Sequence, residues 1–371
     1  MKRLALLTVL LVGCTHIEPL DLPADPAETG VPVGVRTMEH DGLVLEVWYP
    51  ARDDAADEPT EDVDFMSFVP DHVSERLGEI ELPLIPSGAV RDSEVRPPEE
   101  PYPVVVFSHG LGGTRVQSVD FTVHLASRGY VVVATDHAGR ALADLLPCIF
   151  SPPLAGCQLG GEDPAPPHVD AILDWVDEAN EEKKGVFEGI LDTGALGLSG
   201  HSAGGWTTTR VGEDDAQFDA LLPMAGGGPV TRDVPLLRMA GTCDYIASYG
   251  SIQEEHAESV GDLLAIAGAG HLAFSDFCTL DLGGFAEALL EERDDLNTLL
   301  LAGLVQLGTD GCPEAVPDPA GEDCPTAWLP LEESNPVIRY YATVFFDEHL
   351  RGTGPGVQDG VYDVAAVNPA R

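Results

Sequence analysis

Residues 195–205, with the sequence ALGLSGHSAGG, contain the pattern that decides the fold of this 371-residue chain. Residues 195–199 are predicted to form a short buried strand, residues 200–204 match the pattern G-x-S-x-G, and a helical stretch follows. The glycines at both ends of the pattern relieve the crowding of a sharp strand-to-helix turn, which lifts the hydroxyl of Ser202 clear of the sheet. A helix N-terminus beside that hydroxyl favours developing negative charge. The pattern therefore predicts that Ser202 is a nucleophile, with a plain glycine turn as the alternative.

Strand and helix patterns alternate along most of the chain. Runs of β-branched residues such as 104–107 are typical of strands that are covered on both faces. The predicted strands are 33–38, 43–48, 104–107, 130–134, 195–199, 220–224, 236–240 and 263–267, and the predicted helices are 116–125, 168–179, 285–307 and 336–350. This alternation predicts a single α/β domain over residues 31–371, with a doubly wound, mostly parallel sheet of about eight strands and helices on both faces. Residues 281–330 are expected to form an insertion before the last helix.

A second strand-to-loop junction precedes the serine. The strand at 104–107 runs into the glycine-rich loop 108–113, SHGLGG. Glycines let a backbone N–H approach an oxyanion closely, so we predict an oxyanion hole formed by the N–H groups of Leu111 and Ala203. Phosphate binding is the alternative, but the loop matches neither G-x-G-x-x-G nor the Walker A pattern and lacks the lysine.

A serine nucleophile needs a base, and in this architecture the base comes last along the chain, after the nucleophile and the acid. Two histidines lie between Ser202 and the last predicted helix, His256 and His271. His271 ends the small-residue loop 268–271, GAGH, just after an apolar strand, so its side chain is expected at the carboxyl edge of the sheet. His256 follows polar residues and is expected to be a solvated helix position. His271 is therefore the predicted base.

The acid that orients the base should likewise lie in a loop just after a predicted strand. Asp244 ends the loop 241–244, GTCD, just past a predicted strand. Asp219 precedes a strand instead of following one, and Asp276 is too near His271 in the sequence to be the first choice. Asp244 is therefore the predicted acid.

The composition restricts the partners. The chain has 63 acidic and 19 basic residues, a formal net charge of −44. A field of that sign repels nucleic acids and anionic lipid headgroups, so we expect no nucleic-acid partner and favour uncharged or cationic small-molecule substrates. The acidic stretch 53–64 lacks the spacing of a known calcium loop and is expected to be a solvated surface, with calcium binding as the alternative. We expect no metal and no organic cofactor.

The first residues resemble an export signal. A short basic stretch precedes the apolar run 4–12, which is too short to span a bilayer but suits the core of a secretory signal. The run ends in LVGC at 11–14, which resembles the lipobox of bacterial lipoproteins. We therefore expect a signal peptide at 1–13, lipidation at Cys14, a tether at 14–30 and a lipid-anchored location in the bacterial cell envelope, with an ordinary signal peptide as the alternative.

Six further cysteines follow Cys14. An even number in an exported chain favours disulfides over metal ligands, although six cysteines allow 15 pairings. Buried free thiols are the alternative, and no spacing fits a CxxC zinc pattern. Nearest-neighbour pairing predicts Cys148–Cys157 and Cys312–Cys324 and leaves Cys243–Cys278.

Several segments together resemble the α/β-hydrolase superfamily. They are PVVVFSHGLGGTRVQSVDFTVHLASRGYVVVATDHAGR at 103–140, GHSAGG at 200–205, GHLAFSDFC at 270–278 and the early segments VRTMEH and LEVWYPAR. More narrowly, they resemble bacterial relatives of platelet-activating-factor acetylhydrolase, dienelactone hydrolases and cutinase-like polyesterases. The resemblance implies Ser202 as nucleophile, His271 as base, Asp244 as acid and the Leu111 and Ala203 amides as oxyanion donors.

The position of the acid separates these relatives. In the acetylhydrolase the acid follows the strand just after the nucleophile helix, but here that stretch, LLPMAGGG at 221–228, has no carboxylate. Asp244, one strand later, is similar to the dienelactone-hydrolase and cutinase arrangement. Dienelactone hydrolase uses a cysteine nucleophile, whereas this chain has Ser202.

These features predict a secreted serine hydrolase that cleaves small-molecule carboxylic esters through an acyl-enzyme on Ser202. A phospholipase A2-like acetylhydrolase or a serine peptidase would share the same three side chains and is the first alternative. A non-catalytic surface binding protein on the same fold is the second. Membrane contact is expected only through the lipid anchor.

Overall fold

The computed structural model describes residues 30–78, 82–151, 163–292, 295–311, 331–354 and 366–369. The strands are β1 (Val33–His40), β2 (Leu43–Pro50), β3 (Asp62–Val63), β4 (Ile85–Pro86), β5 (Ala89–Arg91), β6 (Tyr102–Ser108), β7 (Val131–Thr135), β8 (Leu191–His201), β9 (Ala220–Met224), β10 (Leu237–Gly241), β11 (Asp262–Ile266) and β12 (Ala366–Pro369). The α-helices are α1 (Asp71–Leu77), α2 (Val119–Ser127), α3 (Leu142–Leu145), α4 (Pro166–Glu181), α5 (Ala203–Asp214), α6 (Tyr249–Ala257), α7 (Leu282–Glu292), α8 (Thr298–Gly311) and α9 (Leu331–Arg351).

One large sheet organises these elements. Its strand order is β12-β11-β10-β9-β8-β6-β7-β2-β1-β5, and the six strands from β11 to β7 run parallel. β2 is antiparallel to both of its neighbours, and β12 is antiparallel to β11. The sheet is therefore mostly parallel, as the sequence predicts. It has ten strands instead of about eight, because the short edge strands β5 and β12 extend it on both sides.

The central strands are buried on both faces. All of β6 is buried, and its residues alternate between two apolar clusters. Val105 and Phe107 pack in the cluster that contains the apolar faces of α2 and α9, whereas Val104 and Val106 pack in the one that contains α4. Because side chains alternate along a strand, a continuous valine run fits a strand covered by helices on both sides.

Two helix predictions are wrong in detail. The predicted single helix at 285–307 is two helices, α7 and α8. The last helix begins at Leu331. Pro336, which the sequence predicts as its first residue, lies inside the helix. A proline near the N-terminal end of a helix removes few hydrogen bonds, so the preceding turn can still form.

Part of the sequence interpretation lies outside the described residues. This holds for the signal peptide, Cys14 and nearly all of the tether, and for Cys157, Cys312 and Cys324. Cys148, Cys243 and Cys278 are each disulfide-bonded, and all three pairings stay predictions. No helix in the described ranges is long and apolar enough to cross a membrane.

Candidate active site

Ser202 lies at the sharp turn between β8 and α5. Its backbone has φ 56° and ψ −116°, a conformation that is uncommon for a residue other than glycine. The Ser202 N–H donates a hydrogen bond to the carbonyl of Met224 at 2.9 Å, which ties the turn to the end of β9. Ser202 is partly exposed, whereas its neighbours His201 and Gly204 are buried. The hydroxyl therefore lies at the carboxyl edge of the parallel strands, where it is accessible.

Two glycines let α5 start directly against the sheet. A β-carbon on Gly204 would lie 1.9 Å from the carbonyl oxygen of Ser108 at the end of β6. A β-carbon on Gly200 would lie 2.4 Å from the carbonyl oxygen of Gly204. No side chain fits at such distances, so the first and last residues of the G-x-S-x-G pattern must be glycine for the turn to close.

Three side chains from separate loops are hydrogen-bonded in series. Ser202 Oγ lies 2.9 Å from His271 Nε2, and His271 Nδ1 lies 2.8 Å from Asp244 Oδ2. Since the carboxylate can only accept, Nδ1 carries the proton and Nε2 accepts from the serine hydroxyl. The structure thus brings together the three residues that the sequence selects as nucleophile, base and acid.

The Asp244 carboxylate is held rigidly. Its side chain is completely buried, and its second oxygen accepts hydrogen bonds from the N–H groups of Ile246 and Ala247, each at 2.8 Å. Both oxygens therefore have donors, which offsets the cost of burying a charged group. The arrangement fixes the ring of His271 through the remaining oxygen.

His256, the alternative base, is buried and not solvated as the sequence suggested. It lies on α6 with 6% of its surface exposed, and Ile252, four residues earlier, is also buried. Residues four apart share one face of a helix, so this face of α6 turns inward despite the glutamates beside it.

The two alternative acids have other partners. Asp219 holds the edge of β8, because its carboxylate accepts from the N–H of Leu196 at 3.1 Å. Asp276 is buried, and its carboxylate accepts from the N–H of Asp120 in α2 at 3.2 Å. Neither is hydrogen-bonded to His271.

The two predicted oxyanion donors lie in the loop after β6 and at the start of α5. The carbonyl of Gly110 accepts hydrogen bonds from the N–H of Gly113 at 3.1 Å and from Nδ1 of His109 at 2.7 Å. Within the described ranges, the N–H of Leu111 on the same peptide group donates to no acceptor. Ala203 is the first residue of α5, and N–H groups of a first turn lack intrahelical acceptors.

The side chain of His109 is neutral and holds the loop through hydrogen bonds. Burial, with the nearby Arg140 charge, lowers the pKa of His109 from 6.5 to about 3. Its Nε2 accepts from the N–H of His137 at 2.9 Å, so its Nδ1 carries the proton that is donated to Gly110.

Arg140 is a functional-site residue that the sequence reasoning missed. It is 4% exposed and donates to the carbonyl of His109 at 2.9 Å, to Ser108 Oγ at 2.7 Å and to Thr207 Oγ1 at 2.8 Å. Asp163 accepts at 2.6 Å from Nη1 of Arg140, the nitrogen that also donates to Thr207. The available signal was its position in the segment just after β7, since that strand ends at the same edge of the sheet.

Among the described residues, no group of three or more histidines, cysteines, aspartates or glutamates is arranged to hold a metal ion.

A family model and a solved structure match the chain. The family model of platelet-activating factor acetylhydrolase, isoform II, matches residues 37–144, the stretch from β1 to α3. Among solved structures, a ferulic acid esterase from Streptomyces cinnamoneus superimposes with a TM-score of 0.53 at 22% sequence identity, covering 88% of this chain and 92% of that one. The first match includes the predicted oxyanion loop. The second extends the likeness over nearly the whole chain, and with the large, mostly parallel sheet it shows that the chain has the α/β-hydrolase fold.

Proposed function

We propose that the chain is a serine hydrolase that cleaves carboxylic esters through an acyl-enzyme on Ser202. The observation that carries the proposal is the series of hydrogen bonds from Ser202 to His271 at 2.9 Å and from His271 to Asp244 at 2.8 Å. Such a series lets a hydroxyl lose its proton as it attacks, because the base is already in contact and correctly oriented.

Acylation would proceed in two steps. Ser202 Oγ bonds to the ester carbonyl carbon while its proton passes to His271 Nε2, and the carbonyl oxygen becomes an oxyanion that accepts from the N–H groups of Leu111 and Ala203. The bond from carbon to the alcohol oxygen then breaks. The proton on His271 goes to that oxygen, so the alcohol leaves neutral and the acyl group stays on the serine.

Deacylation repeats these steps with water. His271 takes a proton from water as the hydroxide adds to the acyl carbon, and the same amides hold the second oxyanion. The bond to Ser202 Oγ breaks, the serine recovers its proton from His271, and the carboxylic acid is released. Asp244 stabilises the imidazolium in both halves and is not itself protonated.

Esters are favoured as substrates by the two comparisons, since both named relatives act on esters by their names. The surface supports uncharged or cationic esters, because a formal charge of −44 repels polyanions. Four exposed apolar side chains come from the loops and helix that carry the reacting groups, namely Leu111, Trp206, Tyr245 and Ile246. These side chains would contact an apolar part of the ester.

The first experiment is hydrolysis of p-nitrophenyl acetate, butyrate and laurate by the wild-type chain and by Ser202→Ala. We expect a loss of roughly 10⁵-fold in kcat for the variant. Ser199→Ala is the matched control, since this buried serine lies three residues earlier and donates only to the Leu222 carbonyl. Full turnover by Ser202→Ala would refute the assignment.

Two further substrates, a phospholipid that carries an acetyl ester and a peptide, separate the alternatives. A preference for acetate on a phospholipid over simple esters would favour the acetylhydrolase, and cleavage of peptides without cleavage of esters would favour a peptidase. A folded chain that turns over none of them would be a binding protein on this fold.

We further propose that the chain is an exported lipoprotein anchored through Cys14 and stabilised by disulfides. Expression of Cys14→Ala in a bacterium is expected to release the protein from the membrane fraction. Non-reducing peptide mapping would test the pairings, and the Cys243–Cys278 pair would join the loops of Asp244 and His271. A peptide that links Cys243 to any other cysteine would exclude that pair.

A further inference from the structure

Two buried polar side chains outside the Ser202–His271–Asp244 series lie between the loops that carry it. Gln117 and His201 are 1% and 2% exposed. Gln117 Nε2 lies 2.9 Å from His201 Nδ1, and His201 Nε2 lies 2.9 Å from the backbone carbonyl oxygen of His271. At the other end, Gln117 Oε1 accepts from the N–H of Gly110 at 2.9 Å. Together these contacts form a relay from the predicted oxyanion loop to the base.

The direction of every bond in the relay follows from its ends. The carbonyl of His271 can only accept, so Nε2 of His201 must carry a proton. Complete burial and the adjacent His271 hold the pKa of His201 well below its ordinary value, so its ring is neutral and Nδ1 is an acceptor. Gln117 must then present its amide N–H₂ to His201 and its oxygen to Gly110. One arrangement satisfies all three contacts.

The surroundings leave room for this relay and for nothing larger. A β-carbon on Gly113 would lie 2.2 Å from Gln117 Oε1. The ring of His201 packs against the ring of His271, with centroids 4.8 Å apart, and stacks on Phe274 at 6.3 Å. The backbone of Gln117 also accepts from the N–H of Asp276 at 3.0 Å, so the relay is attached to the base loop at two points.

We propose that Gln117 and His201 are positioning residues for the ester hydrolysis proposed above, on which this inference rests. The relay fixes Gly110, the residue before the Leu111 oxyanion donor, relative to the backbone of the base. His201 also precedes Ser202 directly. The relay therefore holds the nucleophile turn, the base loop and the predicted oxyanion loop at fixed positions relative to one another. Its groups are neutral, so they place no charge beside His271.

The test compares kcat and KM for p-nitrophenyl acetate, and the rate of labelling by a fluorophosphonate, in Gln117→Met and His201→Phe. Misplacement of reacting groups by a fraction of an ångström lowers kcat by about 10- to 100-fold, and we expect KM to stay within about twofold. Because the two residues act in one relay, the double variant should lose about as much as either single variant. His201→Gln, which can still place an N–H near the His271 carbonyl, should recover about tenfold over His201→Phe.

Thr343→Val is the matched control for stability. It removes another buried hydrogen bond, the one between His124 Nε2 and Thr343 Oγ1 at 2.8 Å, which joins α2 to α9 away from the nucleophile turn. It should lower the melting temperature and leave kcat within about twofold. The relay is refuted if Gln117→Met and His201→Phe keep wild-type kcat and labelling rates while Ser202→Ala is inactive, a result that leaves the ester hydrolase standing. A wild-type chain that neither cleaves esters nor reacts with the fluorophosphonate overturns both proposals.

Discussion

Replacing Asp276 by asparagine tests how the base loop is packed. Asp276 begins the 3₁₀ turn Asp276–Leu280 that follows His271, and it is 6% exposed. Burial and, second, the charge of Asp120 raise the pKa of Asp276 from 3.8 to about 7, against the opposing effect of the backbone N–H groups of Asp120 and Val119. The folded protein therefore binds this proton more tightly than the unfolded chain does.

The sign and size of the effect follow from linkage. With a pKa that is higher in the folded state, the stability contributed by this group is complete below about pH 4 and is lost as pH rises to about 7. At 1.36 kcal/mol per unit, the raised pKa lowers the free energy of unfolding by about 2 kcal/mol at pH 5, where only the unfolded chain ionises, and by about 4 kcal/mol at pH 8. Asparagine does not ionise, and its amide oxygen can still accept from the N–H of Asp120.

The assay is urea unfolding of the wild-type chain and of Asp276→Asn at pH 5 and pH 8. The variant should gain free energy of unfolding relative to wild type as pH rises, and the gap should widen by about 2 kcal/mol between the two pH values. Titration of groups that do not interact with Asp276 cancels in this difference, since both chains share those groups. A gap that is the same at both pH values would show that Asp276 ionises normally and would refute the reasoning.

Three further substitutions have defined outcomes. Gly204→Ala places a methyl group against the end of β6, so we expect a loss of about 100-fold in kcat and of about 1–3 kcal/mol in the free energy of unfolding, measured by ester hydrolysis and urea unfolding. Arg140→Met leaves Asp163 without its cation and should cost about 3 kcal/mol, of which the double variant with Asp163→Asn should recover part on the same urea scale. Trp206 is 50% exposed one turn after Ser202, so Trp206→Ala should raise KM for the laurate ester severalfold and leave that for acetate within about twofold, with an unchanged melting temperature.

The elements that the sequence predicts best are those with continuous apolar runs. β9 occupies residues 220–224 as predicted, and the strands before and after it shift by only a few residues. The short strands β3, β4 and β5 were missed, because strands of two or three residues carry no periodic pattern. His256 was misjudged because its neighbours in the sequence are acidic, whereas its partners on the helix face are four residues away.

The residues of the candidate site also differ in how well the sequence predicts them. Ser202, His271 and Asp244 each follow a predicted strand, and parallel strands bring their carboxyl ends to one edge, so chain order and fold class together select them. Gln117 has no such signal, and Arg140 has only its position in the segment just after β7. The bond from Gln117 to His201 joins residues 84 positions apart, and its existence depends on packing that local sequence does not encode.

The buried polar groups around Ser202 explain how the glycine-rich loop that is predicted to bind the oxyanion is held rigid. The peptide group between His109 and Gly110 is held at both ends, since its carbonyl accepts from Arg140 and its N–H donates to Gln117. The next peptide group is held at its carbonyl by Gly113 and by the neutral ring of His109, so the N–H of Leu111 has a fixed direction. Dipoles fixed in advance need no reorganisation when negative charge develops, and this is where most electrostatic catalysis originates. Glycine supplies the close approach, and the rigidity comes from the side chain of His109 within the loop and from those of Arg140 and Gln117 outside it.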